Sequence, residues 1–366
     1  MRLCIAHAGD ISEPSGGTDR VTAIATGLEE RGHDVVVVVP EPEGSITERL
    51  QNIDVRRISS PVDNSLGRTI SIARHSVAIA EEEDRQIQFE HSALAGVASL
   101  VTRNPNFILD MHDLAYSRFD HINHPLSPIM RRAVGYLERR AVENARQVVL
   151  VSETMARTVE KNWNVSKEDI SVVPNGYFPD IAERFTDVEQ EPGRVVFLGT
   201  LHPKVDVTLL CQVAQLDDVS ELLVIGDGAQ RAELEEQSRK HEALAVLGRL
   251  PDQEAFRYVA SSQAVVNPQR PSALQRSSSP VKLYYYAAFG KPIVATKGPD
   301  ILTELSAREA AHAVTNRSEF MTAIKDILSD DQVAETLGSN AASVATEHQW
   351  SKRVEKLATV LQRIER

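Results

Sequence analysis

Residues 34–40 of the chain read DVVVVVP, five consecutive valines between an aspartate and a proline. A strand with β-branched residues at every position has no polar face, so we expect both of its faces to be covered. Strands of this kind are typical of parallel sheets that carry helices on both sides. The segment therefore predicts an α/β fold built on a parallel sheet.

Similar short apolar runs recur along the 366 residues, with longer helical patterns between most of them. The predicted strands are residues 2–6, 34–40, 107–110, 147–151, 170–173, 195–199, 222–225, 244–247, 264–267 and 292–295. The clearest helical patterns cover residues 130–144 and 229–241. Strand then helix, repeated through the chain, predicts open, doubly wound parallel sheets with right-handed crossovers.

The alternation lapses once, between residues 179 and 194, where the chain is acidic and shows no apolar periodicity. We place a linker there, which leaves two halves of similar size, as the length suggests. The predicted organisation is a Rossmann-like domain at 1–178, a linker at 179–192, a second Rossmann-like domain at 193–349 and a C-terminal helix at 350–366.

The composition excludes several classes of protein. The 52 acidic residues against 40 Lys and Arg give a net charge of −12, opposite to the basic surface of a dedicated nucleic-acid binder. No apolar run approaches the roughly 18 residues of a membrane span, and the N-terminus turns polar too early for a signal peptide. Cys4 and Cys211 are too few for a disulfide framework or a cysteine-based zinc site. We therefore expect a cytoplasmic protein.

The segment most informative for function is 267–296, NPQRPSALQRSSSPVKLYYYAAFGKPIVAT. Ser279 followed by Pro280 is typical of a helix start, because the hydroxyl caps backbone N–H groups and proline lacks the donor. Hydroxyls and cations surround this start, namely Arg270, Arg276, Ser277, Ser278 and Lys282. Together with the helix dipole they predict a phosphate site, although ordinary helix capping explains the serines equally well.

A glycine loop, Ser15-Gly16-Gly17, lies between the first strand and the first helix and would let a ligand approach the backbone. A dinucleotide site of the Rossmann type is disfavoured, because the nearest match to its glycine motif, Gly226-Asp227-Gly228, has Arg231 in place of the third glycine.

His112 lies between Asp110 and Asp113 at the end of a predicted strand. A histidine in this position serves as a general acid or base or as an orienting donor, and plain surface polarity is the simpler alternative. A metal site is disfavoured, because adjacent residues at a strand end diverge. The sequence also lacks the motifs of α/β-hydrolases, P-loop NTPases and zincins.

In their shared order, these motifs resemble the GT-B glycosyltransferases, and among them the family 4 (GT4-like) sugar-nucleotide transferases. The resemblance covers nearly the whole chain and rests on the Gly-Gly loop, residues 110–114, 151–153, 173–176, 197–200, 224–228, 247–250 and 279–284, and His348-Gln349-Trp350-Ser351. It implies two Rossmann-like domains facing across a cleft, with lobe closure during catalysis.

The resemblance also implies roles for particular residues. Ser277, Ser278, Ser279, Pro280 and Lys282, with Arg276 nearby, would hold the donor diphosphate. His112 would face the donor sugar and Gly17 the reaction centre, while Arg249 and Leu250 would lie against the nucleobase. No metal or other cofactor is implied.

Two groups of residues depart from the family pattern. The family's Arg and Lys in the loop opening the second domain are replaced by Thr200 and Val205, with Lys204 displaced by one position. Ser277 and Tyr285 stand where the family has two glutamates, and a tyrosine offers fewer hydrogen bonds to ribose than a carboxylate. There are two possible outcomes. In one, Tyr285 stacks or hydrogen-bonds in place of the glutamate, and the departing diphosphate is stabilised by Lys204, Lys282, Arg270 and Arg276. In the other, the donor site has decayed.

The expected function is therefore transfer of a sugar, with retention, from a UDP- or GDP-linked donor to a glycan or lipid-linked acceptor. The alternatives are a catalytically silent sugar-nucleotide-binding subunit and a GT-B sugar-nucleotide epimerase. Four arginines, Arg131, Arg132, Arg139 and Arg140, fit either peripheral contact with the inner face of a membrane or an ordinary solvated face, since Glu138 lies among them.

Overall fold

The structure is a computed structural model that describes residues 1–60, 64–101, 106–121 and 124–365. Arg366, the last residue of the predicted C-terminal helix, lies outside this part of the chain. The chain divides into two compact units. One comprises Met1–Asn175, Ser277–Ser279 and Trp350–Arg366, and the other Gly176–Arg276 and Pro280–Gln349.

The elements that precede residue 175 alternate between strands and helices. They are β1 (Arg2–Ala6), α1 (Gly16–Glu29), β2 (Asp34–Pro40), β3 (Asp54–Ile58), α2 (Ser65–Glu82), β4 (Gln86–Phe89), α3 (Ser92–Val101), β5 (Phe107–Met111), α4 (Ser127–Asn144), β6 (Gln147–Leu150), α5 (Glu153–Asn162) and β7 (Ile170–Val172).

The elements that follow continue the same alternation. They are α6 (Pro179–Glu183), β8 (Arg194–Leu198), α7 (Val207–Val213), β9 (Glu221–Ile225), α8 (Arg231–Ser238), β10 (Leu244–Gly248), α9 (Asp252–Ser261), β11 (Ala264–Asn267), α10 (Ala273–Ser277), α11 (Val281–Ala288), β12 (Ile293–Thr296), α12 (Asp300–Ala307), β13 (Ala311–Val314), α13 (Arg317–Ser329), α14 (Asp331–Ala345) and α15 (Trp350–Glu365).

Each unit holds one sheet of parallel strands. Over the described residues, the first sheet has seven strands in the order β3-β2-β1-β4-β5-β6-β7, and the second has six in the order β10-β9-β8-β11-β12-β13. The order reverses between β1 and β4 in the first sheet and between β8 and β11 in the second. These Rossmann-like sheets confirm the predicted α/β fold class. In such sheets, ligands bind outside the carboxyl ends of the strands where the order reverses.

Apolar clusters cover both faces of each sheet. In the first sheet this agrees with the valine run of β2. In β1, Cys4 and Ala6 belong to one apolar cluster, and Leu3 and Ile5 belong to the other. Successive side chains of a strand point to opposite faces, so one strand contributes to both cores. The cluster that contains Leu3 also takes in Val354 of α15, and this helix belongs to the first unit.

Most predicted strands are found within one or two residues of their observed bounds, and 2–6, 34–40 and 264–267 match fully. Three strands were not predicted: β3, β4 and β13. The predicted linker at 179–192 begins with the short helix α6. The predicted serine cap at residue 279 is wrong, because Pro280 occupies the N-cap of α11.

Candidate functional site

In the first unit, the polar residues that follow β1, β4 and β5 lie at the reversal of strand order. His7 directly follows β1, Glu90 directly follows β4, and Asp110 and His112 lie at the end of β5. Because parallel strands present their carboxyl ends at one edge of the sheet, these side chains lie close together. Gly16 and Gly17, predicted as part of a loop, instead form the start of α1 after the N-cap Ser15, and Gly17 lies at the same edge.

A buried ion pair forms the floor of this cluster. Arg20 of α1 donates two hydrogen bonds to the carboxylate of Asp110, both of 2.8 Å, and a third of 3.0 Å to Asn175 Oδ1. Arg20 and Asp110 are both fully buried. Two charges removed from water are stable only when paired and hydrogen-bonded, as they are here, and losing either partner would leave an uncompensated charge.

His112 is held by a second buried carboxylate. Its Nε2 lies 2.9 Å from Glu90 Oε2, and the other oxygen of Glu90 accepts a 2.7 Å hydrogen bond from Gln88. A carboxylate accepts hydrogen bonds, so this contact favours the tautomer of a neutral His112 that carries its proton on Nε2 and leaves Nδ1 as the acceptor. A Cβ atom placed on Gly17 would lie 4.0 Å from this Nδ1, so this edge of the ring faces the first turn of α1.

A second imidazole, that of His7, borders the same space. The same Cβ on Gly17 would lie 3.6 Å from His7 Cε1. Burial, followed by the nearby His112 and His91, lowers the pKa of His7 to about 3. His7 is therefore neutral at physiological pH and offers one donor and one acceptor, the combination that a hydroxyl group requires.

Glu90, Asp110 and His112 are also the types of ligand that bind metal ions, and their donor atoms lie within 4.8 Å of one another. Both oxygens of Asp110, however, accept hydrogen bonds from Arg20, and Glu90 is held by Gln88 and His112. The cluster therefore fits an internally balanced hydrogen-bond network better than a cation site.

The second unit presents a cation where its strand order reverses. Lys282 of α11 lies with its Nζ 4.0 Å from the centre of the Phe197 ring. Gly199, which follows β8, has a φ of +135°, and a Cβ there would lie 2.7 Å from the same Nζ. The absence of a side chain at Gly199 therefore makes room for the lysine.

Lys282 also carries an unbalanced charge. Burial, and to a smaller extent Lys204, lowers its pKa to about 7. Within the described ranges no carboxylate pairs with Lys282. A half-buried ammonium next to a second lysine is stabilised when an anion binds, because opposite charge favours the protonated form.

The other residues of the second unit that are predicted to bind the sugar-nucleotide donor lie in two environments. Arg249 and Arg276 are exposed, Pro280 is the N-cap of α11, and Leu250 packs at the edge of an apolar cluster. Tyr285 is only 3% exposed, with its ring 4.7 Å from that of Phe256. This placement favours packing for Tyr285, and its contact with ribose stays a prediction.

The three serines belong to the first unit. Ser277 O accepts a hydrogen bond from Ser152 Oγ, and Ser279 Oγ accepts one from the backbone N–H of Asn175. Ser277 and Ser279 are buried, and Ser278 is half-buried. A role of these serines in binding phosphate stays a prediction.

Sequence reasoning missed four residues of the first cluster: His7, Arg20, Glu90 and Asn175. Glu90 follows β4, a four-residue strand whose sequence QIQF is half polar. The sequence nevertheless contained a signal. Glu90 is followed closely by a histidine, as Asp110 is followed by His112.

Two family models match the chain over most of its length. Residues 14–180 match Glycosyltransferase Family 4, and residues 192–330 match Glycosyl transferases group 1. The chain belongs to the family 4, group 1 glycosyltransferases. The resemblance drawn from the order of the motifs is thus confirmed.

Solved structures of glycosyltransferases share the fold of this glycosyltransferase. Sucrose-phosphate synthase from Thermosynechococcus elongatus has a TM-score of 0.80 at 14% identity, over 99% of this chain and 98% of that one. HepE of Anabaena, solved with UDP and glucose, has a TM-score of 0.76 at 19% identity, over 99% of both chains. These similarities establish the GT-B fold.

A curated relative is TuaH of Bacillus subtilis (strain 168), assigned as a teichuronic acid biosynthesis glycosyltransferase. It is 23% identical over 203 residues, a match that spans 52% of this chain and half of TuaH. Across the described residues, no helix combines the length and the apolar character that crossing a bilayer requires.

Proposed function

We propose that this glycosyltransferase moves a sugar, with retention, from a UDP- or GDP-linked donor to a hydroxyl group of a glycan or lipid-linked acceptor. The observation that carries the proposal is Lys282, a cation without a carboxylate partner among the described residues, beside Gly199 and Lys204. Helix N-termini and cations at the carboxyl ends of parallel strands suit a diphosphate. That HepE is solved with UDP and glucose supports a sugar-nucleotide donor.

In this proposal Lys282 and Lys204 stabilise the diphosphate as it leaves, although Thr200 and Val205 replace the family's cations. Such electrostatic contacts strengthen as charge develops, and removing one costs roughly a hundredfold in rate. Arg249 and Leu250 contact the nucleobase. His112 faces the donor sugar, Gly17 lets the reacting groups approach the backbone, and neutral His7 faces a hydroxyl.

The proposal requires no metal ion, because lysines and backbone N–H groups hold the diphosphate. Transfer should therefore persist after treatment with EDTA. Loss of transfer on chelation, with recovery on addition of Mg²⁺ or Mn²⁺, would contradict this part of the proposal.

The deciding experiment incubates the purified chain with UDP- and GDP-linked sugars, with and without a glycan or lipid-linked acceptor. Release of nucleotide that requires the acceptor supports transfer. Release with the donor alone indicates epimerase-like chemistry, and thermal stabilisation without release indicates a silent binding subunit. Either of these outcomes overturns the proposal.

Two matched variants test the diphosphate site itself. Lys282→Met should weaken donor binding roughly a hundredfold, as expected for loss of a charge contact to phosphate. Lys240→Met is the control, because Lys240 is an exposed lysine of the same unit that pairs with Glu236. Equal donor affinities for both variants would exclude Lys282 from the site.

We also propose that this cytoplasmic enzyme contacts the inner face of an anionic membrane through α4. Leu126, Ile129 and Met130 are about half exposed or more, beside the exposed Arg131 and Arg132. Apolar side chains flanked by arginines suit a bilayer with anionic headgroups. This contact would bring a lipid-linked acceptor to the enzyme.

Vesicle sedimentation tests this contact. The chain should bind vesicles of phosphatidylglycerol and phosphatidylcholine but not vesicles of phosphatidylcholine alone. The double variant Ile129→Ser, Met130→Ser should lose binding, whereas Leu66→Ser, at a leucine that is 63% exposed on α2, should keep it. Equal binding of both variants would contradict the role of α4.

A further inference from the structure

Helix α4 carries a buried carboxylate that the proposed mechanism does not use. Glu138 is fully buried, and three donors converge on it. Its Oε1 accepts hydrogen bonds from Ser92 Oγ at 2.8 Å and from the backbone N–H of Ala115 at 2.7 Å. Its Oε2 accepts one from the backbone N–H of Tyr116 at 2.8 Å. Hydrogen bonds to an ionised acceptor are the stronger kind.

The donors come from two loops that matter to the candidate site. Ser92 lies two residues beyond Glu90, at the start of α3. Ala115 lies three residues beyond His112 and begins the short 3₁₀ turn Ala115–His121. One carboxylate therefore ties the segment carrying Glu90 to the segment carrying His112. The 2.9 Å contact between Glu90 and His112 spans the same two segments.

We infer that Glu138 is a positioning residue that holds the His112 ring against Glu90. The role in catalysis rests on the proposed function, since His112 is there the residue that faces the donor sugar. Without the carboxylate, the backbone N–H groups of Ala115 and Tyr116 lose their acceptor, and the link from Ser92 to this turn is lost. The ring would then lose its single orientation, and Nδ1 would no longer be the fixed acceptor beside Gly17.

The charges around Glu138 are consistent with this role. Burial raises the pKa of Glu138 to about 7, against the three hydrogen bonds that lower it. Asp113, which pairs with Arg118, raises the same pKa further. His91, the residue before Ser92, is neutral at physiological pH, because burial lowers its pKa to about 4. Protonation of Glu138 would turn one acceptor oxygen into a donor and loosen the hold on the backbone.

The test is ¹⁵N NMR of the full chain, labelled on histidine and on the backbone, with the His112 signals assigned from a His112→Gln variant. In the wild type, the ring should show a single tautomer protonated on Nε2. In Glu138→Gln the His112 signals should become those of mixed tautomers. Glu143→Gln, at an exposed position of the same helix that pairs with Arg139, should keep the wild-type pattern.

A folded Glu138→Gln variant with the wild-type His112 pattern would overturn the inference. If that variant fails to fold, Ser92→Ala, which removes only the side-chain donor to Glu138, is measured in its place. It should also give mixed His112 tautomers. A folded Ser92→Ala variant with the wild-type His112 pattern would overturn the inference as well.

Kinetics add a readout tied to the reaction. Glu138→Gln should lower kcat roughly tenfold to a hundredfold with little change in the KM for the donor, as expected when a reacting group is misplaced. If the wild type shows no transfer, the proposed function fails, and the NMR experiment still decides whether Glu138 positions His112.

Discussion

The two sheets have corresponding strand orders, but the residues at their reversal points are electrostatically different. In the first unit, Arg20 is balanced by Asp110, and His112 is paired with Glu90. In the second, Lys282 has Lys204 as a neighbour and, in the described part of the chain, no carboxylate partner. A balanced network holds side chains in place without a ligand, whereas an unbalanced cation is stabilised by the anion that it binds. The comparison thus distinguishes side chains held by their own partners from a cation that a bound anion would stabilise.

The largest effect is expected from breaking the balanced pair. Asp110→Asn leaves the buried guanidinium of Arg20 without its counter-charge and should lower the free energy of unfolding by about 3–5 kcal/mol in urea titrations. The control is Asp180→Asn, in the exposed pair with Arg184, where a change below about 1 kcal/mol is expected. Similar losses in both variants would show that the first cluster is not the balanced network described here.

The next largest effect is expected in the pH dependence of the free energy of unfolding, through the carboxyl group of Glu138. Its pKa is raised from 4.5 to about 7 by burial, so between these values the folded chain holds more protons than the unfolded chain. Its contribution to stability therefore falls as pH rises from 4.5 to 7, by on the order of 3 kcal/mol. Unfolding of Glu138→Gln and of the wild type at pH 5 and pH 8 should reveal this difference, whereas Glu143→Gln should follow the wild type.

A smaller effect is expected at the second reversal point. In Gly199→Ala, the methyl group would lie 2.7 Å from Lys282 Nζ at a φ of +135°, so we expect a loss of about 1–3 kcal/mol in unfolding. Gly135→Ala, in α4, brings its Cβ no closer than 3.6 Å to Tyr116 and should stabilise the helix by about 0.5–1 kcal/mol. A tolerated Gly199→Ala would mean that the lysine does not need this glycine.

The smallest expected effect concerns the pH dependence of donor binding. With a pKa lowered to about 7, Lys282 is mostly neutral at pH 8 and must take up a proton when a diphosphate binds. The Kd for UDP should therefore rise about tenfold from pH 6 to pH 8. Calorimetry in buffers of different ionisation enthalpy should show proton uptake at pH 8. Affinity independent of pH in this range would place the diphosphate elsewhere.

The sequence determined the fold class and most of the strands. Continuous apolar runs such as 34–40 can only be buried between helices, and their bounds agree with β2. The missed strands are those in which polar residues interrupt the run, such as DVRRI in β3 and QIQF in β4. In β4 the buried Gln88 donates a hydrogen bond to Glu90, a partner that no local pattern reveals.

The candidate site, too, was determined partly by local sequence and partly by tertiary structure. His112 and Lys282 stood out because each lies in a recognisable motif next to a strand or a helix end. Their environments were decided only by tertiary structure, since Arg20 and Asp110 are 90 residues apart in sequence, and Glu90 and His112 are 22 apart. Strand pairing brings such residues together, and burial then determines which charges are paired and which pKa values shift. Those distances and desolvation energies depend on the whole fold, so no local stretch of sequence contains them.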